Sequence, residues 1–515
     1  MAVRSKRIGP APRKRIYLIA PRSPHNFWGM QATVDAVGAK ALMPNNALAT
    51  LVALTPPDVG IEYVYGDENV GRLPEGQPCD LVALTGYTLH VPRIRDLAAA
   101  YRRRGIPVAL GGAFATLDPD QARPLADHLF VGEAEYTWPR FLREWTAGQA
   151  QRVYEQTGPV DMKDSPPPDW SFVDGDDYLY FTVQTSRGCP NRCDFCDVIR
   201  LVGRKHRSKP IERVMAEIRN AYAAGADTVF FSDDNFHVRD SFTRELLERI
   251  VAWNSGLANP LSFSCQASVA IADDDGLLRL LADARVSAVF LGVESLRREC
   301  LKEVNKGRLH RPELGERIRA MSAFGILPFI GLIVGFDHDD PATFDEIERF
   351  LEATGSPMAS LSVLNAPKLT VLHERLAVQG RIREDFQGKW HDLTNIVPTA
   401  MPLDELIGRH RALFRRLYEP DRFEARAVAW LRGVRYFSAL YRNKRQRPGK
   451  LLKALHAVKY YLLHAPPPAR RLFFRVVLEA WRTDPRLFRK AFTIMTQYCH
   501  FDSFVNDPQW QAARA

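Results

Sequence analysis

The chain reads as an α/β protein in three parts: an N-terminal doubly wound, Rossmann-like parallel sheet, a partial (β/α)6 barrel, and an α-helical C-terminal domain. Three observations predict this. Apolar strand-like runs alternate with helical ones over the first ~150 residues; a second alternating series follows the proline-rich breaker "DSPPPDWSF"; and beyond about residue 400 only helical periodicity remains. At 515 residues the chain exceeds one ordinary domain of ~100 to 200 residues. The expected division is a sheet domain over 1–150, a linker over 151–178, a barrel over 179–390 and a helical extension over 391–515. With 46% apolar and 25% charged residues, the composition supplies a large core and gives no sign of disorder.

The first-domain strands are "RIYLIA" (15–20), "IEYVY" (61–65), "DLVALTGY" (80–87), "IPVALGG" (106–112) and "HLFVGEAE" (128–135). Helical periodicity in "NALATLVALTP", "RIRDLAAAYRRRG" and "EYTWPRFLREW" separates them. Such sheets are parallel and bind ligands beyond the carboxyl ends of their strands. The second series has six strands: "FTVQTS" (181–186), "TVFFSDD" (228–234), "SFSCQAS" (262–268), "AVFLGVES" (288–295), "LPFIGLIVGF" (327–336) and "ASLSVLNA" (359–366). Helices such as "IERVMAEIRNAYAAG" lie between them, and chemistry is expected at the strand ends.

No run of 18 or more apolar residues occurs, and no signal-peptide-like segment follows the basic "MAVRSKRIGPAPRKR", so a cytoplasmic location is expected. The net charge of +10 is uneven: residues 401–515 hold 23 Lys and Arg against 9 Asp and Glu, leaving the rest slightly acidic. The basic tail reads as a solvated helical face or as a surface for anionic lipid. No recognised nucleic-acid-binding motif accompanies the charge, so no nucleic-acid partner is expected.

Seven cysteines without a secretion signal favour metal binding over disulfides. Three of them, Cys189, Cys193 and Cys196, stand within eight positions in "TSRGCPNRCDFC". A structural zinc site wants four protein ligands, and no second Cys or His pair follows at a suitable distance. Three thiolates suit three irons of a [4Fe-4S] cluster, with the fourth iron left open to a non-protein ligand.

With aromatic Phe195 before the last cysteine, on the loop after a barrel's first strand, C-x3-C-x2-C resembles the radical S-adenosylmethionine (SAM) superfamily. The resemblance implies that SAM chelates the open iron and is cleaved reductively to a 5'-deoxyadenosyl radical. It also implies SAM contacts at Phe195, at Ser232, Asp233 and Asp234 in "FSDDNF", at Glu294 in "GVES", at Gly331 and Ile333 in "GLIVGF", and at Gln266 in "SCQAS". Three of these segments have a plainer alternative: a helix N-cap for the acidic run, a structural carboxylate for Glu294, and a buried strand needing small residues for "GLIVGF". Cys265 reads as core.

A doubly wound domain before such a barrel resembles the cobalamin-dependent branch. "MPNNALATLVALTP", "ALGGAFATLDPD" and "VGEAE" are similar to that branch's motifs, with Asn46 or Ala47 replacing a glycine and Ala113-Phe114 replacing Pro-His. The resemblance together with the strand-end rule places cobalamin at Thr85, Gly86, Gly111, Gly112 and Phe114. The D-x-H-x-x-G motif is absent, so cobalt without a protein imidazole is expected, and His90 and His25 read as structural. "SFSCQASVAIA", "FFSDDNF" and "LNAPKLTVLHERL", with the helical extension, resemble the hopanoid C-2 methylase family.

The resemblance implies radical methylation of an unactivated carbon of a hydrophobic, polycyclic-lipid-like substrate from methylcobalamin. It also implies a reductase, flavodoxin or ferredoxin as electron donor. Cobalamin-assisted cyclisation, oxidation or rearrangement without methyl transfer is the alternative reaction, and a cobalamin- or redox-sensing protein without turnover is the non-enzymatic one. Basic and aromatic residues interleaved in "WLRGVRYFSALYRNKRQR" and "RRLFFRVVLEAWR" predict peripheral membrane contact.

Overall fold

The computed structural model describes residues 4–10, 14–74, 76–383, 393–439 and 448–512. The basic run at 440–447 lies outside them. The chain forms two compact units. One comprises residues 1–25, 40–189 and 198–229; the other comprises 26–39, 190–197 and 230–515.

The first unit is built on a seven-stranded sheet: β1 (Arg4–Ile8), β2 (Lys14–Ala20), β3 (Ile61–Asp67), β4 (Leu81–Thr85), β5 (Val108–Gly111), β6 (His128–Val131) and β7 (Val153–Glu155). Their order is β1-β3-β2-β4-β5-β6-β7, with every pair from β3 to β7 parallel. β2, β3 and β4 are buried along nearly their whole length, which is why they read as unbroken apolar runs. Tyr17, Leu84, Ile94, Leu110 and Leu129 belong to one core cluster. Because β3 and β4 flank β2 on opposite sides, the order reverses between β2 and β4, the position where open sheets of this kind form a ligand crevice.

Two strands depart from the expected five-stranded parallel sheet. β1 pairs antiparallel with β3, Lys6 opposite Tyr63, as a charged edge whose Lys6 pairs with Asp169 and Arg7 with Glu62. Cations on an edge strand discourage pairing with other chains, and they also make the strand look like a solvated tail in sequence. β7 falls within the stretch expected to be linker and pairs parallel with β6, Tyr154 stacking on Phe130.

The second sheet contains β8 (Phe181–Val183), β11 (Thr228–Phe231), β12 (Ser262–Ala267), β13 (Val286–Glu294), β14 (Leu327–Val334) and β15 (Met358–Val363). Its order is β15-β14-β13-β12-β11-β8, an open ladder of six strands as the sequence predicts, and β12 to β15 are parallel. Two short strands, β9 (Ser186–Arg187) and β10 (Arg207–Ser208), pair antiparallel beside it in sequence. Strand pleating separates two faces. Cys265, Val289, Leu291, Val293, Ile330 and Leu332 are fully buried, whereas Gln266, Phe290, Glu294, Phe329 and Ile333 of the opposite face remain partly exposed.

The C-terminal region is helical, with main helices Leu403–Leu417, Pro420–Gly433, Pro448–Leu463, Pro467–Thr483 and Phe488–Val505. Its core is aromatic. Phe27, from the segment after β2 that belongs to this unit, meets Phe414, Phe501 and Phe504 edge-on at 5.3–5.8 Å between ring centres. Its carbonyl accepts a hydrogen bond from His500 Nε2 at 2.6 Å. Removing so large a buried ring costs lost contacts and leaves a cavity. Phe27→Ala is therefore expected to lower stability by about 3–5 kcal/mol, read as a shifted denaturant midpoint. A loss under about 1 kcal/mol would mean that this cluster does not hold the segment.

Candidate functional site

The approach to the cysteines is fixed by charge. Arg187, two residues before Cys189, lies 2.6 Å from Glu133 and 2.7 Å from Glu135, and its Nε donates to Gln184 Oε1 at 2.8 Å. Arg207, opposite Arg187 in the β9–β10 pair, donates to Glu133 at 3.0 Å and to the Val160 carbonyl at 2.6 Å. All four charged side chains are at most 13% exposed. Burial opposes ionisation of Glu135, but the Arg187 guanidinium outweighs it and holds the carboxyl below its ordinary range. Gly188 then takes φ +89°, where an added Cβ would overlap the Lys205 carbonyl oxygen.

The rest of the loop is anchored within the other unit. The Asp194 amide donates to the Val304 carbonyl at 3.0 Å, and the Asp194 carbonyl accepts from Leu372 at 2.9 Å. The Asp194 carboxylate is 3.4 Å from Arg375. Phe195 packs on a cluster that includes Cys300, Val304, Phe336 and Leu372, so it serves as the loop's apolar foot. The Cys196 amide donates to the Cys193 carbonyl at 3.2 Å, which puts both on one turn. Cys189, Cys193 and Cys196 are each partly exposed and none is in a disulfide. Among the described residues, no three His, Cys, Asp or Glu side chains are gathered closely enough to hold a metal ion. The donor chemistry thus fits an iron–sulfur group, three soft thiols on one accessible loop, although the sulfurs do not converge on one point.

Four of the proposed SAM-contact residues share the less buried face of the second sheet. Register puts Gln266 beside Phe290, Phe290 beside Phe329, Gly292 beside Gly331 and Ile333 beside Ser362. Gln266 Nε2 donates to the Asp233 carbonyl at 2.8 Å, while its own carbonyl accepts from Phe236 at 3.0 Å. It therefore ties the loop after β11 to β12. Asp233 is fully buried, and Asn235 in the same loop caps the Ser268 amide at 3.1 Å. The N-cap alternative for Ser232, Asp233 and Asp234 is not realised: the following helix begins at Asp240, its N-cap residue is Arg239, and no side chain caps it.

Glu294 sits at the end of β13, after a register shift, with φ 65°. A left-handed non-glycine residue at a strand end stores roughly 1–3 kcal/mol of strain, which surrounding contacts must hold in place. Lys306 does so, with Nζ 2.6 Å from Glu294 Oε1 and 2.9 Å from the Gly292 carbonyl. Gly331 is set by packing, since a Cβ there would lie 2.6 Å from the Phe290 ring. Phe290 meets Phe329 at 5.1 Å and half-exposed Trp28 at 5.8 Å, which gives this face an aromatic floor. The turn after β14 is held by buried Asp339, whose carboxylate accepts from the Gly335 and Phe336 amides at 2.7 and 3.0 Å.

In the first unit, Thr85, Gly86, Gly111 and Gly112 gather at the carboxyl ends of β4 and β5, beside the switch point. Gly112 has φ +89°, and a Cβ would overlap the Thr85 hydroxyl, so the close approach of these two strand ends requires glycine. The Phe114 amide donates to the Gly86 carbonyl at 2.9 Å. The Phe114 ring, 1% exposed, belongs to the core, leaving only its backbone at the strand end. His90 accepts from the Tyr87 amide at Nδ1, 3.1 Å, and its Nε2 meets Ser23 Oγ at 3.0 Å. Both ring nitrogens are engaged, and burial lowers its pKa.

Sequence reasoning missed Lys306, Asn235, Asp339 and the Arg187 pairs. "VGEAE" was visible as a motif, but nothing local to it or to Arg187 signals that the two meet.

A family model described as the radical SAM superfamily matches residues 183–351, and one described as a domain of unknown function (DUF4070) matches residues 370–512. An uncharacterized methyltransferase of Synechocystis sp. is 30% identical over 498 residues, 95% of this chain and 91% of that protein. The hopanoid C-2 methylase of Rhodopseudomonas palustris is 27% identical over 416 residues, 79% of this chain and 77% of that one. The structure of TsrM, a radical SAM methyltransferase from Kitasatospora setae with cobalamin and a [4Fe-4S] cluster bound, superposes with a TM-score of 0.56 at 17% identity. That likeness of fold spans 94% of this chain and 99% of TsrM. The chain therefore belongs to the radical SAM superfamily, enzymes of a [4Fe-4S] cluster and SAM, in the group that contains the Synechocystis methyltransferase and the hopanoid C-2 methylase.

Proposed function

We propose that this protein is a cobalamin-dependent radical SAM methyltransferase that methylates an unactivated carbon of an apolar substrate. The observation that carries the reading is the joint presence, in one chain, of a loop with three cysteines and no fourth and of a doubly wound sheet whose switch point is lined by small residues. Cys189, Cys193 and Cys196 would hold the cluster. When bound, the cluster with SAM supplies a 5'-deoxyadenosyl radical and cobalamin supplies the methyl group.

The chain's own residues position these groups. Gln266 fixes the loop carrying Ser232, Asp233 and Asp234; Asp233 is fully buried and does not reach a ligand, so the partly exposed Asp234 carboxylate and Ser232 are the groups that suit the SAM ammonium. Glu294, braced by Lys306, offers a carboxylate to SAM hydroxyl or amino groups, while Gly331 and Ile333 border the same face. Thr85, Gly86, Gly111, Gly112 and the Phe114 backbone would meet the corrin. With both His90 nitrogens committed, the corrin would be held without that imidazole. The aromatic floor of Trp28, Phe290 and Phe329 suits an apolar substrate. Electrons would come from a flavodoxin- or ferredoxin-type donor.

Peripheral membrane contact accords with this substrate class. Among the described residues no helix is long and apolar enough to cross a membrane. Nine of the eighteen exposed large apolar side chains among the described residues, however, fall between Leu451 and Phe488. On helix Pro467–Thr483 they form a stripe, Phe474, Leu478 and Trp481, flanked by exposed Arg471, Arg475 and Arg482. Apolar side chains rimmed by cations suit the surface of an anionic bilayer.

Four outcomes are expected. Cys196→Ala should bring 5'-deoxyadenosine formation below detection in anaerobic assays, and methyl-labelled SAM incubated with wild-type protein and a lipid extract should place label in an apolar product. Retained deoxyadenosine in the variant, or its formation by the wild type with no labelled product, would contradict the reading. Glu294→Ala strands the buried Lys306 cation and removes a charge-assisted contact, so SAM affinity measured by equilibrium dialysis should fall ~10-fold or more, corresponding to about 1.5–3 kcal/mol. Wild-type affinity would remove Glu294 from the SAM site. Phe474→Glu with Trp481→Glu should abolish flotation with vesicles of phosphatidylcholine and phosphatidylglycerol; unchanged flotation would count against the membrane surface.

A further inference from the structure

The cysteine loop is attached to the doubly wound unit on both sides. Before it, Arg187 bridges Glu133 and Glu135, which lie in the turn directly after β6. The same stem is held by backbone, with the Lys209 amide donating to the Thr185 carbonyl at 2.8 Å, and by a buried ion pair between Lys209 and Glu217. After it, helix Val198–Leu201 packs on helix Ala113–Leu117, the short helix that starts from Gly112 at the end of β5. Both attachments therefore reach the carboxyl edge of the first sheet, at β5 and β6, within one compact unit.

A surface ion pair would add little here, but this arrangement is not of that kind. One guanidinium spans two carboxylates, all three groups are nearly excluded from solvent, and Glu133 is shared with a second arginine that also binds the Val160 carbonyl. A planar fork bridging two fixed acceptors sets direction as well as distance, which a lysine cannot reproduce. The stem's side chain is thereby locked two residues before the first cysteine. A chemistry that passes between a cluster and a second cofactor needs such a lock, because misplacement by about 1 Å can cost ~100-fold in rate.

We propose that Arg187, Glu133 and Glu135 are positioning residues that hold Cys189 in register with the carboxyl edge of the doubly wound sheet, and so set where this first cluster thiol stands relative to any ligand of that edge. The inference rests on the reading of Cys189, Cys193 and Cys196 as cluster ligands. It does not depend on methyl transfer.

The test uses the full chain reconstituted anaerobically with iron and sulfide, and reads iron retained after desalting and the electron paramagnetic resonance spectrum of the reduced cluster. Arg187→Met combined with Glu135→Gln removes one opposed pair while leaving Glu133 on Arg207, so no charge is stranded; Arg187→Lys keeps the charge without the fork. The double variant is expected to melt within a few degrees of wild type while its iron affinity falls ~10-fold or more, the scale on which partners behind metal ligands act. Arg187→Lys is expected to recover part of the iron with an altered spectrum. A double variant that melts, retains iron and gives a spectrum like wild type overturns the proposal. Should that variant melt early, Arg187→Lys decides alone: a wild-type spectrum overturns the proposal and an altered one upholds it. If wild-type protein holds the cluster but shows no cobalamin-dependent methyl turnover, the methyltransferase reading fails and the positioning role is untouched.

Discussion

The proposed chemistry depends on placing three thiols from one short loop, and a loop with that task cannot be left to its own conformational freedom. Cysteine side chains contribute little packing, and a segment with a glycine beside them has many conformations to lose. The chain meets the constraint by fixing the flanks. Arg187 is held by two carboxylates before the first cysteine, and Asp194 and Phe195 are held by backbone bonds and an apolar cluster before the last. The three cysteines themselves remain partly exposed, as the proposed cluster ligands would be if the cluster exchanges electrons with a donor.

A similar economy governs the strand ends. Gly112 is needed because Thr85 is close, and Gly331 because Phe290 lies across it. Both glycines therefore have structural reasons that coincide with their suitability for a cofactor's close approach. Glu294 is the reverse case. Its left-handed backbone is unfavourable for a side chain, and its persistence through a β-bulge and a buried lysine marks a position where the fold bears strain to aim a carboxylate.

Much of this was legible in the sequence, for identifiable reasons. β2 through β6 read as compact apolar runs because parallel strands are covered on both faces, and the six barrel strands are legible because at least one face of each is buried. The cysteine spacing is local, so its chemistry could be read without a structure. β1 was hidden because a charged edge strand has no apolar signature, and β7 because three residues are too few to show a period. The partners of Arg187 lie 52 and 54 positions away, and Lys306 lies 12 from Glu294. Ion pairs across such separations have no pattern in one chain and become visible only when the fold brings the groups together. Phe114 shows the opposite difficulty: a residue at the right strand end whose side chain turned inward to the core.

The central claim is that one chain couples a radical-generating cluster to a cobalamin methyl donor. Anaerobic turnover of the reconstituted protein with SAM, reductant and a lipid extract, with and without cobalamin, tests it most directly when 5'-deoxyadenosine and S-adenosylhomocysteine are quantified together. The account predicts both products, with S-adenosylhomocysteine formed only when cobalamin is present. Deoxyadenosine alone, unchanged by cobalamin, would contradict it and point to radical chemistry without methyl transfer.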